Sequence, residues 1–250
     1  MSPDIHALTS VNRLLIADFL DRLDESAWTT PTLSDGWTVQ HMAAHFVQPM
    51  MVNLGRFLLV SIRYRGDTDR TVDHFTRRLA RRPRPELISL LRAHAGDRLN
   101  PPRVGPMGPF AETCVHLRDI ARPLGLDVDV PAEHWRILLD YLTGPAPAPA
   151  LTPPGRLDGL RLTATGLDWS AGDGALVSGP IEALGMAAAG RPAALPDLSG
   201  PGAALLKERL ITGARPGSGP DRRRPDQDRT RAGRARFAAP RADRRGPSGR

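Results

Sequence analysis

The sequence predicts a mostly α protein: a helical bundle, then a small α+β domain, then a disordered basic tail. Three observations carry this. Apolar residues recur at three- and four-residue spacing through residues 1–143, with no clear strand pattern. A Pro/Ala-rich linker, 144–156, follows, and beyond it apolar and polar residues alternate over 157–212 as in a strand-containing domain. Residues 213–250 are Arg, Pro, Gly, Ala and Asp with almost no large apolar side chain, too little to offset chain entropy by burial.

Helix one is expected from about Asp4 to Asp24, with Ile5, Leu8, Val11, Leu15, Phe19 and Leu23 on one stripe. Pro31 and Ser34-Asp-Gly36 mark a turn. Helix two starts near Thr38, a capping residue. It carries Val39, Met42, Phe46, Met50, Leu54, Phe57 and Leu58 on one face and ends before Gly66. A weaker helical pattern spans His74 to Leu79. Pro85 opens a helix from Glu86 to Leu99. The next helix includes Glu112 and His116 and ends around Arg122, because Pro123 disfavours helix in the residue before it. Pro131 opens another through Trp135 and Leu142. In the second domain, Leu160 to Leu167 reads as a strand, Asp168 to Gly174 as a turn and Ala175-Leu-Val as a second strand. Helices follow from Pro180 to Ala189 and Gly202 to Ile211. At roughly 55 residues this domain is marginal alone and is expected to dock on the bundle.

The chain has 250 residues, enough for such a core, and only 5% are aromatic, so the core is aliphatic. Its net charge of +7 misleads. Residues 215–250 hold 12 Arg and 4 Asp, so the preceding 214 residues carry about −1. A near-neutral folded part makes nucleic acid an unlikely partner, and the tail lacks the aromatic interleaving of a nucleic-acid arm. Cys114 is the single cysteine, which excludes an internal disulfide and fits a cytoplasmic protein. The N-terminus shows no signal-peptide pattern. The most apolar window, 43–62, contains His45, Gln48, Asn53 and Arg56, so it reads as a buried bundle helix and not a membrane span.

The chemistry concentrates in Phe110-Ala-Glu-Thr-Cys-Val-His-Leu-Arg-Asp-Ile-Ala-Arg-Pro-Leu-Gly125. Glu112 and His116 are four apart, one helical turn, and can grip one divalent cation. A third ligand would come from Ser34-Asp-Gly-Trp-Thr-Val-Gln-His-Met-Ala-Ala-His45, where spacing leaves His41 and His45 both open. Three ligands of His and Glu leave coordination positions free, as in a catalytic site. Each residue also has a plainer reading: a packed or capping histidine, and for Glu112 a carboxylate favoured near a helix start by the dipole.

Trp37-Thr-Val-Gln-His-Met-Ala-Ala-His45 resembles the second-helix signature of the mycothiol-dependent maleylpyruvate isomerase family, whose N-terminal domain is a DinB-like four-helix bundle. Glu112-Thr-Cys-Val-His116-Leu-Arg-Asp119-Ile-Ala-Arg122-Pro-Leu-Gly is similar to that family's later metal-binding helix. Gly159 through Trp169, Gly179-Pro180, Gly190-Arg191-Pro192 and Leu198-Ser-Gly200 resemble its C-terminal domain, which is similar to sterol carrier proteins. The resemblance covers about residues 5–211. It implies His45, Glu112 and His116 as ligands of a divalent metal, typically zinc. It implies mycothiol as cosubstrate, and Arg191 as a catalytic residue available to a substrate carboxylate, which Arg recognises bidentately. Asp119 is expected as a solvated helix-end residue, with the alternative of receiving a ligand N–H. Arg122 would orient an anion or neutralise the helix C-terminus. Cys114 points about 200° from Glu112 and is expected in the core.

The implied function is metal-dependent activation of a low-molecular-weight thiol for isomerisation or transfer on a small electrophile. The alternative is a non-catalytic protein of the same fold that binds a metal or small ligand.

Overall fold

The computed structural model describes residues 3–212, so the tail expected to be disordered lies outside the described residues. Helix α1 (Ile5–Asp21) is capped by Asp4, whose carboxylate accepts the His6 and Ala7 N–H groups. Helices α2 (Val39–Met51), α5 (Arg84–Ala93) and α6 (Met107–Ala121) complete a four-helix core with it. Both α1 and α2 pack against α5 and α6. Ile16, Leu20, Met42, Leu87, Leu91, Phe110, Leu117 and Ile120 fill the space between them. Helix α4 (Thr68–Leu79) lies on α2, and α7 (Ala132–Leu142) packs on α6.

Helix two is not continuous to Gly66. It ends at Met51, and a new helix, α3 (Leu54–Arg63), starts after Asn53, whose Oδ1 accepts the Arg56 N–H. Pro49 in the last turn of α2 also removes one backbone donor. The apolar stripe therefore does not stay buried past the break: Leu54, Leu58, Leu59 and Ile62 are exposed, and α3 buries none of its residues. Helix α5 closes at Ala93, short of the expected Leu99, and α4 is longer than its weak pattern suggested.

Beyond residue 156, β1 (Leu160–Ala164), β2 (Ser170–Ala171) and β3 (Ala175–Gly179) form a sheet in the order β2-β1-β3. β2 occupies the segment read as a turn and pairs antiparallel with β1, while β1 and β3 run parallel with Leu162 opposite Val177. Helix α8 (Ile181–Ala188) packs against α7, a 3₁₀ helix spans Pro192–Asp197, and α9 (Ala203–Thr212) closes the described chain. Gly185 makes the α7–α8 approach possible, since a Cβ there would sit 2.3 Å from Cε3 of Trp135. The hydrophobic core thus continues from the bundle through Trp135 into Leu184 and Val177. Among the described residues, no helix is long and apolar enough to cross a membrane.

Candidate functional site

Helices α2 and α6 bring His45, Glu112 and His116 together. His45 Nε2 lies 4.0 Å from Glu112 Oε1, and the rings of His45 and His116 meet edge-on with centroids 5.0 Å apart. His41 takes no part. Its Nδ1 accepts the Thr38 N–H at 3.3 Å and lies 2.9 Å from the Thr38 hydroxyl, so it caps the start of α2. Of the two histidines that spacing left open, only His45 faces α6. Glu112 sits in the second turn of α6, not the first, which weakens the dipole explanation for its position.

The three donors do not yet enclose an ion: among the described residues, no group of three or more His, Cys, Asp or Glu side chains is gathered tightly enough to hold one. One pair, His45 and Glu112, comes near. Two atoms each about 2.1 Å from a tetrahedral zinc lie about 3.4 Å apart, and His45 and Glu112 are 4.0 Å apart. That separation is also too long for a hydrogen bond between them. His45 Nδ1 is buried with no hydrogen-bond partner. On the other edge of this 5% exposed ring, Nε2 faces the part-exposed Glu112 carboxylate, and an imidazole nitrogen beside a carboxylate is a donor pair that fits a cation. Burial, then the neighbouring His116, holds the His45 pKa well below its ordinary value, so the ring is neutral, as a ligand must be. Burial raises the Glu112 pKa, against the pull of His116 and Arg13; its side chain keeps 41% exposure, which limits the rise.

His116 is held from behind. Its Nδ1 lies 2.7 Å from Asp119 Oδ2, and because a carboxylate only accepts, Nδ1 carries the proton and Nε2 is left to ligate. Asp119 is not the solvated helix-end residue expected; it is fully buried. It accepts Arg191 Nε at 3.1 Å and Nη2 at 3.0 Å, and the Ser34 hydroxyl at 3.3 Å. Burial opposes its charge, but the bonds from His116 and Arg191 prevail and hold its pKa below the usual carboxylate value. Trp37 packs on His45 at 4.9 Å, and its indole N–H donates to Asp73 at 2.9 Å.

Arg191 therefore reaches the site through Asp119, with its Nη1 also donating to the Ala189 carbonyl, and keeps 25% of its side chain exposed. Arg122 neither orients an anion nor caps its own helix. It forks onto Glu182 of α8, with Nε at 2.8 Å and Nη2 at 2.6 Å, beside Arg118. Cys114 is buried as expected, its thiol pKa raised by burial, so it is not a nucleophile.

Residues 15–104 match the model of the mycothiol maleylpyruvate isomerase N-terminal domain, a span that includes His45. This part of the chain belongs to the mycothiol maleylpyruvate isomerase N-terminal domain family. Two solved structures are similar. One is a histidine-to-alanine mutant of the mycothiol-dependent maleylpyruvate isomerase, with TM-score 0.53 and 15% identity over 79% of this chain and 92% of that one. The other is the mycothiol-dependent maleylpyruvate isomerase itself, with TM-score 0.50 at the same identity and coverage. At that identity the likeness speaks for the fold, and it covers more of the chain than residues 15–104. No curated protein matches the chain.

Proposed function

We propose that the protein is a divalent-metal-dependent enzyme that uses mycothiol to isomerise or modify a small electrophile. The observation that carries this is the convergence of His45, Glu112 and His116, with His116 fixed by a buried Asp119–Arg191 pair. The isomerase-family match of the bundle supports the thiol. A zinc ion held there would lower the pKa of a bound thiol and supply a thiolate nucleophile. His45, wedged against Trp37, offers a neutral nitrogen. Asp119 keeps the His116 proton on Nδ1. Arg191 has N–H groups left after binding Asp119, and its exposed edge can hold a substrate carboxylate. A thiol cosubstrate and a lone buried cysteine both fit a reducing cytoplasm.

The spread of the three donors favours one other reading, a protein of this fold that binds its ligand without turnover. Elemental mass spectrometry of wild type, His45→Ala and His116→Ala separates them in part. Near-stoichiometric metal, lost in both variants while the fold persists, is expected, followed by mycothiol-dependent turnover of a cis-alkene diacid. A metal-free wild type, even after zinc, manganese or nickel is supplied, would overturn the catalytic reading.

A further inference from the structure

The turn joining α4 to α5 and the first residues of α5 read Arg81-Arg82-Pro83-Arg84-Pro85, and the first turn of α2 faces them. Between them lies an open groove of about 810 Å³. Its walls carry four guanidinium groups, from Arg77, Arg81, Arg82 and Arg84, with Trp28 and His41 beside them, and none of its lining residues is a carboxylate.

The groove is built by specific contacts. Gln40 of α2 donates both amide hydrogens to the turn, to the carbonyls of Ala80 and Arg82, each at 3.0 Å. Pro83 and Pro85 restrict the backbone of the same turn. The Arg84 guanidinium lies over the Trp28 ring, 5.5 Å from its centre, within cation–π reach. Neighbouring carboxylates use only part of the available N–H groups. Asp73 takes Arg77 Nε, Glu86 takes Arg82 Nη1, and Glu25 approaches Arg84 Nη1 at 3.6 Å. Arg81 has no partner among the described residues. Four like charges drawn onto one groove repel one another, and three flanking carboxylates leave one guanidinium uncompensated.

We infer that this groove binds a small, multiply charged oxyanion of the phosphate class. Planar guanidinium forks match phosphate oxygens bidentately. The volume falls in the range of small-molecule sites, about 300–1,000 Å³, and so admits a phosphorylated molecule as well as the bare ion. None of the four arginines belongs to the His45, Glu112 and His116 site, so this inference stands apart from the proposed metal chemistry.

The test uses the full chain with inorganic pyrophosphate and ADP as probes at about 0.15 M salt, where weak surface attraction is screened. Calorimetry is expected to give one saturable site, weakened about tenfold by Arg81→Ala and further by Arg81→Ala with Arg84→Ala. Arg136→Ala, on α7, is the control and should bind as wild type. Phenylglyoxal labelling with peptide mapping locates the site. Pyrophosphate should protect Arg81 and Arg84 but not Arg136, and the mapping separates these peptides from the arginines beyond residue 212. Tighter binding of ADP than of pyrophosphate supports an organic phosphate as ligand, and equal binding supports the phosphates alone. Undiminished affinity in the Arg81 variants, or protection confined to the peptides beyond residue 212, would overturn the inference.

Discussion

Replacing Asp119 with Asn isolates the least expected part of the site. The carboxylate is fully buried and serves two charged or chargeable partners, His116 at 2.7 Å and Arg191 at 3.0–3.2 Å. Hydrogen bonds to a charged group contribute about 1.5–3 kcal/mol each. Asn keeps one acceptor oxygen, which in the place of Oδ2 still serves His116 and Arg191 Nη2, but the negative charge is lost and the amide hydrogens in the place of Oδ1 face the Arg191 Nε donor. The expected stability loss is about 2–3 kcal/mol, read as a shift of the urea midpoint with unchanged slope. The loss should not add to that of Arg191→Met, because one pair is broken twice; a coupling of at least about 1 kcal/mol is expected. In zinc titrations against a competing chelator, affinity should fall about 10–100-fold, since His116 is no longer held in its tautomer. A variant with the wild-type midpoint and the wild-type zinc affinity would refute the view that Asp119 orients the site.

Two further expectations test the packing that carries the site. Asp129 donates no proton to Trp135 but accepts its indole N–H at 2.9 Å, and burial pushes its pKa from 3.8 to about 6. Between those values the folded chain retains a proton that the unfolded chain has released, so stability should fall as pH rises from about 4 to 6, by at most about 3 kcal/mol. Asp129→Asn should flatten that slope in urea melts, and an unchanged slope would count against the assignment. Gly185→Ala would place a methyl against Trp135 and should cost about 1–3 kcal/mol by calorimetry; a neutral effect would mean that α7 and α8 are not packed as closely as described.

What could be read beforehand depended on distance along the chain. Glu112 and His116 are one helical turn apart, so local periodicity alone placed them on one face. The four core helices followed from the same periodicity. His41 and His45 share that spacing, and what separates them is a cap contact to Thr38 that any spacing argument treats as neutral. The break at Asn53 was hidden because Leu54, Phe57 and Leu58 continue the apolar rhythm of α2. A hydrophobic pattern reports which residues can be buried, and α3 leaves several of them in water. Asp119 as the acceptor of a ligand N–H was open to local spacing, since His116 is three residues away, but its burial and the pairings of Arg122 and Arg191 were out of reach for a different reason. The partners of the two arginines, Glu182 and Asp119, lie 60 and 72 residues away, and a lone Arg after a glycine carries no sign of which carboxylate it will meet. The tertiary fold decides that meeting, since α8 packs on α7 and sets Arg191 against Asp119, behind His116. The segment beyond α8 therefore helps to build the proposed metal site, and a change at the α7–α8 contact should reach His116 through Arg191 and Asp119.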